Sequence, residues 1–343
     1  MEYRKLGNSG TAVSAYALGT MTFGAEADEA TSHQILSAYA AAGGNFIDTA
    51  DVYTRGASEE IIGSWLAKNP TERDQMVLAS KGRFPMGDGV NDIGLSRRHL
   101  RRALDESLTR LGVEHLDLYQ VHSWDPLTPL EETLSFLEDS IRSGKIGYYG
   151  FSNYSGWQLT KAVWLAKAHG WNAPVTLQPQ YSLLVREIEL EIVPAALDAD
   201  IGLLPWSPLG GGWLTGKYER DTSPTGETRL GENPERGMEA WKERNSKERT
   251  WSIIDVVVEI AAEREVTASR VALAWVAQQP AVTSVILGAR NTDQLADNLG
   301  ADALALSIEE IDRLSAISAP EVSDYPYGGP GQEQRSRQVD GGR

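Results

Sequence analysis

A chain of 343 residues with 41% hydrophobic and 23% charged side chains has the composition of a soluble globular protein, and an α/β barrel of this length is an ordinary single domain. Its formal charge of −16 argues against nucleic acid or anionic membranes as partners, and the lack of cysteine excludes disulfides, thiolate zinc sites and a cysteine nucleophile. Five scattered histidines offer no metal-ligand spacing, no apolar run is long enough to cross a bilayer, and the polar opening 1–5 leads into no signal-like segment, so a cytoplasmic protein without a metal is expected.

Segments 3–7 and 13–18 flank the turn residues Asn8, Ser9, Gly10 and Thr11 and predict a small hairpin, whose second arm runs into Gly19-Thr20-Met21-Thr22-Phe23-Gly24. A helix over 28–42 and a short strand at 45–48 follow. Ser58 is expected to cap a helix over 59–68, with Glu59 and Glu60 in its first turn. The next strand ends at Lys81 and is followed by a loop over 82–94, long enough to cover a pocket. Leu100, Ala103, Leu104, Leu108 and Leu111 then recur at helical spacing. Arg97, Arg98, Arg101 and Arg102 crowd the other side of that helix, as a solvated face or as an anion site.

Strands at 116–122, 146–151, 175–177 and 201–206 alternate with helices at 130–142, from 155 onward and at 190–198, and Ser155 with Gln158 forms a capping-box pattern. The rhythm breaks over 207–247, rich in Gly, Pro, Glu and Arg; loops of that length in a compact domain are functional or mobile. It resumes with helices at 248–264 and 269–279, a strand at 284–286, a helix at 292–299 and a second capping box, Ser307 with Glu310. Residues 319–343 have no periodicity and read as a flap and disordered tail, leaving 1–318 as one barrel domain.

About eight strand–helix repeats predict an α/β fold with a parallel sheet. A doubly wound dinucleotide fold would place Gly-x-Gly-x-x-Gly after its first strand, and the stretch from Gly19 to Gly24 lacks the middle glycine, so a (β/α)8 TIM barrel is expected. In such a barrel all strand ends open at one face, which lets Asp48, Tyr53, Lys81 and His122 meet. A free phenol has a pKa of about 10 and is a poor acid near neutrality. The Lys81 ammonium would lower that value, Asp48 would hold Lys81 charged, and His122 would hydrogen-bond the atom that Tyr53 protonates. Taken singly, these are an ion pair, a loop aromatic and a rim histidine. Converging at successive strand ends, they fit protonation of the oxyanion that develops when a carbonyl is reduced.

On these residues the chain resembles the aldo-keto reductases, from residue 3 to about 317. The stretch Gly44-Asn45-Phe46-Ile47-Asp48-Thr49-Ala50-Asp51-Val52-Tyr53 resembles the family's signature, Leu116-Asp117-Leu118-Tyr119-Gln120-Val121-His122 its histidine strand, and Lys81 completes the four. The resemblance implies an eight-stranded barrel closed at the bottom by the hairpin, binding of NADPH, and hydride delivery to an aldehyde or ketone. It further implies that Ser152, Asn153 and Gln178 hold the nicotinamide carboxamide and that Trp206 stacks on the ring. The glycines of Ser207-Pro208-Leu209-Gly210-Gly211-Gly212 present backbone N–H groups suited to a pyrophosphate, with Leu209 and Lys217 in the same set. The Gly-x-x-x-x-Gly-Lys spelling from Gly211 to Lys217 is not a nucleotide-hydrolase loop, because Tyr218 stands where magnesium needs Ser or Thr.

Gly288, Arg290, Gln294, Asp297 and Asn298 resemble the family's adenosine clamp, Arg290 meeting the 2′-phosphate and Asn298 with Asp297 the adenine edge. Gly288-Ala289 stands where many members carry Lys-Ser, which weakens the expected preference for NADPH over NADH. Met21, Phe23, Val52, Phe84, Met86 and Trp124 fall on loops at the same rim and would line an apolar substrate pocket or pack the loops themselves. A second reading is a cofactor-binding sensor resembling the auxiliary subunits of potassium channels, against which stands the lack of a long N-terminal extension. A glycosidase would need two carboxylates flanking the bond, and no such pair is apparent.

Overall fold

The computed structural model describes residues 1–226, 229–232, 234–235 and 240–328. Two short strands, β1 (Tyr3–Lys5) and β2 (Ala12–Ser14), pair antiparallel with Tyr3 opposite Ser14. The expected second arm over 13–18 divides at Ala15: β3 (Tyr16–Gly19) leaves the hairpin and becomes the first barrel strand, parallel to both its neighbours. No glycine or proline punctuates this stretch. The break is fixed from outside, by Asn45, which accepts from Ser14 N at 2.7 Å, and by Tyr39, whose hydroxyl donates to Tyr16 O at 2.8 Å.

The remaining strands are β4 (Phe46–Asp48), β5 (Val77–Gly82), β6 (Leu116–Val121), β7 (Ile146–Ser152), β8 (Thr176–Gln178), β9 (Gly202–Leu203) and β10 (Val285–Gly288). They lie in the order β10-β3-β4-β5-β6-β7-β8-β9, all parallel. Thr283 N donates to Leu203 O and Ile286 N to Pro205 O, both at 2.9 Å, which joins the two ends of the sheet and closes the expected (β/α)8 TIM barrel.

Side chains alternate across each strand, so every second residue points into the barrel. Ala17, Phe46, Ala79, Leu118, Leu204 and Ile286 form a buried interior layer, and Leu6 and Val13 of the hairpin join it. The hairpin therefore seals the floor. Gly7 makes the close approach possible: its φ is +55°, and a Cβ there would sit 2.0 Å from Val175 O.

Outside the sheet, the helices bury their apolar stripes against it. On the helix Arg97–Leu111, Leu100, Ala103, Leu104 and Leu111 are buried, and the opposite arginines are interleaved with acids, Arg97 with Asp139 and Arg102 with Asp92. That face is the ion-paired, solvated one. The Ser307–Glu310 capping box forms reciprocally, and Gln158 closes back on Ser155 N at 2.9 Å. The Ser58 cap does not form. The helix begins at Ala57 behind left-handed Gly56, and the Ser58 hydroxyl instead donates to Thr20 O at 2.9 Å inside the core. The 207–247 excursion is anchored by aromatics: Trp213 and Trp241 stack at 4.9 Å, with Trp251 and Tyr218 edge-on around them. Of the expected tail, 319–328 is described, with Arg249 donating to Ser318 O and Ala319 O, and 329–343 lies outside the described residues. No helix among the described residues is long and apolar enough to cross a membrane.

Candidate active site

One inward position above the apolar layer, β4, β5, β6 and β8 carry Asp48, Lys81, Gln120 and Gln178. Lys81 is fully buried, and its three ammonium protons have three acceptors: Asp48 Oδ2 at 2.6 Å, Thr49 O at 2.9 Å and Tyr53 Oη at 3.2 Å. Asp48 Oδ1 accepts from Gln120 Nε2 at 3.2 Å and Gln178 Nε2 at 2.9 Å. Both charges are thus fully hydrogen-bonded, the condition under which a buried ion pair is tolerated. Burial alone would pull Lys81 toward neutrality, but the Asp48 carboxylate and the bonds to Asp48 and Tyr53 outweigh it and hold the ammonium above its usual range.

Tyr53 follows β4 on a tight turn in which Thr54 and Arg55 have φ of 49° and 54°. Burial of its hydroxyl pushes the phenol above its usual value, and Lys81 draws it only partly back. The expected acidification by Lys81 is present in sign but is outweighed, because the pocket that brings the ammonium close also removes water from the phenolate. Tyr53 therefore keeps its proton at neutral pH, as a proton donor must. The His122 ring lies edge-on to Tyr53 at 5.8 Å and to Phe84 at 4.7 Å. Burial, then the charges of Lys81 and Arg83, hold its pKa well below the usual imidazole range, so the ring is neutral, and its Nδ1 has no partner among the described residues.

The residues expected at a dinucleotide fall along the same barrel face. Asn153, at φ 57°, donates to His122 O at 3.0 Å and to Ser152 Oγ at 3.0 Å, and accepts from Trp206 Nε1 at 3.1 Å. Ser152 donates to Gln178 O at 2.9 Å, so these four form one wall beside Tyr53 and His122. Beyond Trp206, Ser207 and Leu209 lead into a turn in which Gly211 and Gly212 have φ of 68° and 98°. A Cβ on Gly212 would lie 2.9 Å from Lys217 Nζ, so a cation stands over that glycine. Across the rim, Arg290 donates through both terminal nitrogens to the Glu232 carboxylate, at 3.0 and 3.2 Å. Gly212 under the Lys217 ammonium suits a phosphate, whereas the Arg290 fork already carries a carboxylate. Gln294 Oε1 accepts from Arg290 N, and Asn298 donates to Gly288 O. Asp297 departs from expectation: Arg270 and Thr267 of the neighbouring helix hold its carboxylate, at 3.0 Å and 2.9 Å.

Of the expected substrate wall, Phe84 is partly buried against His122, Trp124 is partly buried against Tyr154, and Met21 is exposed. Val52 and Met86 are partly buried on their loops. Phe23 is fully buried in the main core, where its backbone bridges to Ala27, and so lines no open pocket. Trp157, unanticipated, packs edge-on to Trp124 at 5.4 Å while staying 57% exposed. Gln120 was equally unanticipated, although it shares the inward parity of Leu118 and His122.

Behind Lys81 lies a second buried polar group. Glu59 accepts from Arg110 Nε at 2.7 Å and Ser80 Oγ at 2.5 Å, while the Asp51 carboxylate and the Tyr119 hydroxyl are buried with no side-chain partner among the described residues. Burial, reinforced by Glu59, pushes Asp51 up from 3.8 to about 8. Because the folded value is raised, the stabilising proton is fully present below about pH 4 and is lost as pH rises toward 8. Asp51→Asn cannot ionise, so its stability relative to the parent is expected to rise by a few kcal/mol, order ~3, between pH 5 and 8. Denaturant unfolding at both pH values checks this, and parallel changes in the two proteins would refute it.

The model for the family described as "Aldo/keto reductase family" matches residues 16–319. An "Uncharacterized oxidoreductase YrpG" of Bacillus subtilis is 38% identical over 97% of this chain and 98% of that protein. A "Probable voltage-gated potassium channel subunit beta" of Oryza sativa subsp. japonica is 35% identical over 92% of this chain and 96% of its own length. A "Versiconal hemiacetal acetate reductase" of Aspergillus parasiticus is 32% identical over 94% and 98%. The rice protein leaves almost no length unmatched, so a long N-terminal extension does not separate the channel-subunit relatives from this chain. With the match spanning nearly the whole barrel, the chain belongs to the aldo/keto reductase family, oxidoreductases that generally use NAD(P)H.

Proposed function

We propose that this protein reduces an aldehyde or ketone to the alcohol, reversibly, with NADPH. The observation that carries the reading is a single buried ammonium, Lys81, bonded at once to the Asp48 carboxylate and to a phenol, Tyr53, that faces the barrel mouth. When bound, NADPH supplies hydride to the carbonyl carbon. Ser152, Asn153, Gln178 and Trp206 would hold its nicotinamide end, the turn at Gly211 and Gly212 with Lys217 its pyrophosphate, and Arg290, Gln294 and Asn298 its adenosine end.

Tyr53 gives its proton to the carbonyl oxygen, and Lys81 stabilises the phenolate left behind. Asp48 fixes the ammonium in place, with Gln120 and Gln178 fixing Asp48. Neutral His122 orients the carbonyl oxygen toward the Tyr53 hydroxyl. Phe84 and Trp124 keep water from that oxygen, which strengthens each of these contacts.

The test is a panel of aliphatic, aryl, dicarbonyl, keto-sugar and polycyclic carbonyls, following loss of reduced nicotinamide and formation of alcohol. Stoichiometric turnover of at least one class is expected. Tight cofactor binding with no turnover of any class would favour instead a cofactor-binding sensor resembling the auxiliary subunits of potassium channels.

A further inference from the structure

We infer that Glu232 is a specificity-determining residue at the adenosine end of the cofactor site, competing with a 2′-phosphate for Arg290 and offering an acceptor to a ribose 2′-hydroxyl. The inference rests on the dinucleotide reading above. Its core is the paired geometry: Arg290 Nη1 and Nη2 donate to Glu232 Oε1 and Oε2 at 3.0 and 3.2 Å, the parallel fork a guanidinium uses for a phosphate as well as a carboxylate. One guanidinium face cannot serve both anions in this way.

Charge decides the consequence. A 2′-phosphate brings about −1.5 to −2 at neutral pH. It arrives at a protein of net charge −16, where local cations must offset the general repulsion. With Glu232 in place the Arg290 fork is already neutralised, and Gly288 and Ala289 beside it add no charge. A phosphate must displace the carboxylate or sit against it. An NADH ribose carries instead a hydroxyl that donates to a carboxylate, the way acidic residues select NAD in other dinucleotide sites.

Two features make the pair displaceable without disturbing Arg290. Its side chains are 21% and 44% exposed, so the bond itself contributes little to folding. The turn that carries Arg290 is braced separately, by Gln294 Oε1 accepting from Arg290 N at 3.0 Å and Asn298 Nδ2 donating to Gly288 O at 3.2 Å. Glu232 lies 58 residues away in sequence, in the short helix Arg229–Glu232 of the long excursion.

The test measures binding without any carbonyl, on the full chain, with NADPH, NADH, 2′,5′-ADP and 5′-AMP titrated into the parent, Glu232→Gln and Arg290→Met. Glu232→Gln is expected to tighten NADPH and 2′,5′-ADP about tenfold at low salt, an effect that shrinks as salt is raised. NADH should bind unchanged or up to a few-fold more weakly, so the affinity ratio moves toward NADPH. A ratio within twofold of the parent's, or an equal shift for both dinucleotides, overturns the inference. Arg290→Met separates the two levels. If it removes the preference for 2′,5′-ADP over 5′-AMP while Glu232→Gln changes nothing, only the inference falls; if it changes nothing either, the assignment of Arg290 falls too. Should Glu232→Gln misfold by circular dichroism, Glu232→Ala repeats the comparison under the same criteria.

Discussion

Replacing Tyr53 by Phe is expected to lower kcat for carbonyl reduction by about 10²- to 10⁴-fold, the usual contribution of a positioned general acid. The change removes one oxygen and keeps the ring that packs edge-on to His122. Lys81 retains Asp48 and Thr49 O as acceptors, so its charge stays paired and the fold should hold. Cofactor dissociation constants should remain within about twofold, because the expected dinucleotide contacts lie on other strands. Stopped-flow reduction alongside equilibrium cofactor titration separates the two. A variant that turns over at the parental rate would remove Tyr53 from the chemistry.

Lys81→Met is expected to fail more broadly. It leaves the Asp48 carboxylate buried with amide donors alone and deprives Tyr53 of its cation. Stranding one member of a buried ion pair typically costs about 3–5 kcal/mol, so denaturant unfolding should show a loss of that order, together with loss of turnover. The double variant Asp48→Asn with Lys81→Met removes the stranded charge and should recover much of the stability with none of the activity. If the single variant loses less than about 1 kcal/mol, the pair is not the electrostatic centre described here.

Asp48, Lys81 and His122 were legible because a two-residue period leaves few choices once a strand end is placed, and Phe46, Ala79 and Leu118 mark the same inward faces. Gln120 obeys that parity too, but an amide two residues before a histidine carries no signal of its own in the sequence. The split between β2 and β3 was not legible, since its causes, Asn45 and Tyr39, act from elsewhere in the chain. Glu59 reads from the sequence only as a first-turn acid. Its burial depends on Arg110, 51 residues away, just as the partner of Arg290 comes from a segment without periodicity. Phe23 beside a glycine read as a rim residue, although its loop folds inward over Ala27. The balance of forces on Tyr53 was also out of reach, because sequence spacing shows that a cation is near but not how much water its pocket keeps.

The plugged floor has a consequence for traffic. Leu6 and Gly7 block one end of the barrel, so among the described residues the way to Tyr53 is the opposite end, for entry and for exit alike. The water that an incoming molecule displaces has the same exit. Phe84, against the His122 ring, and Trp206, bonded to Asn153, stand beside that opening, and a change in either one alters passage for every species that uses it.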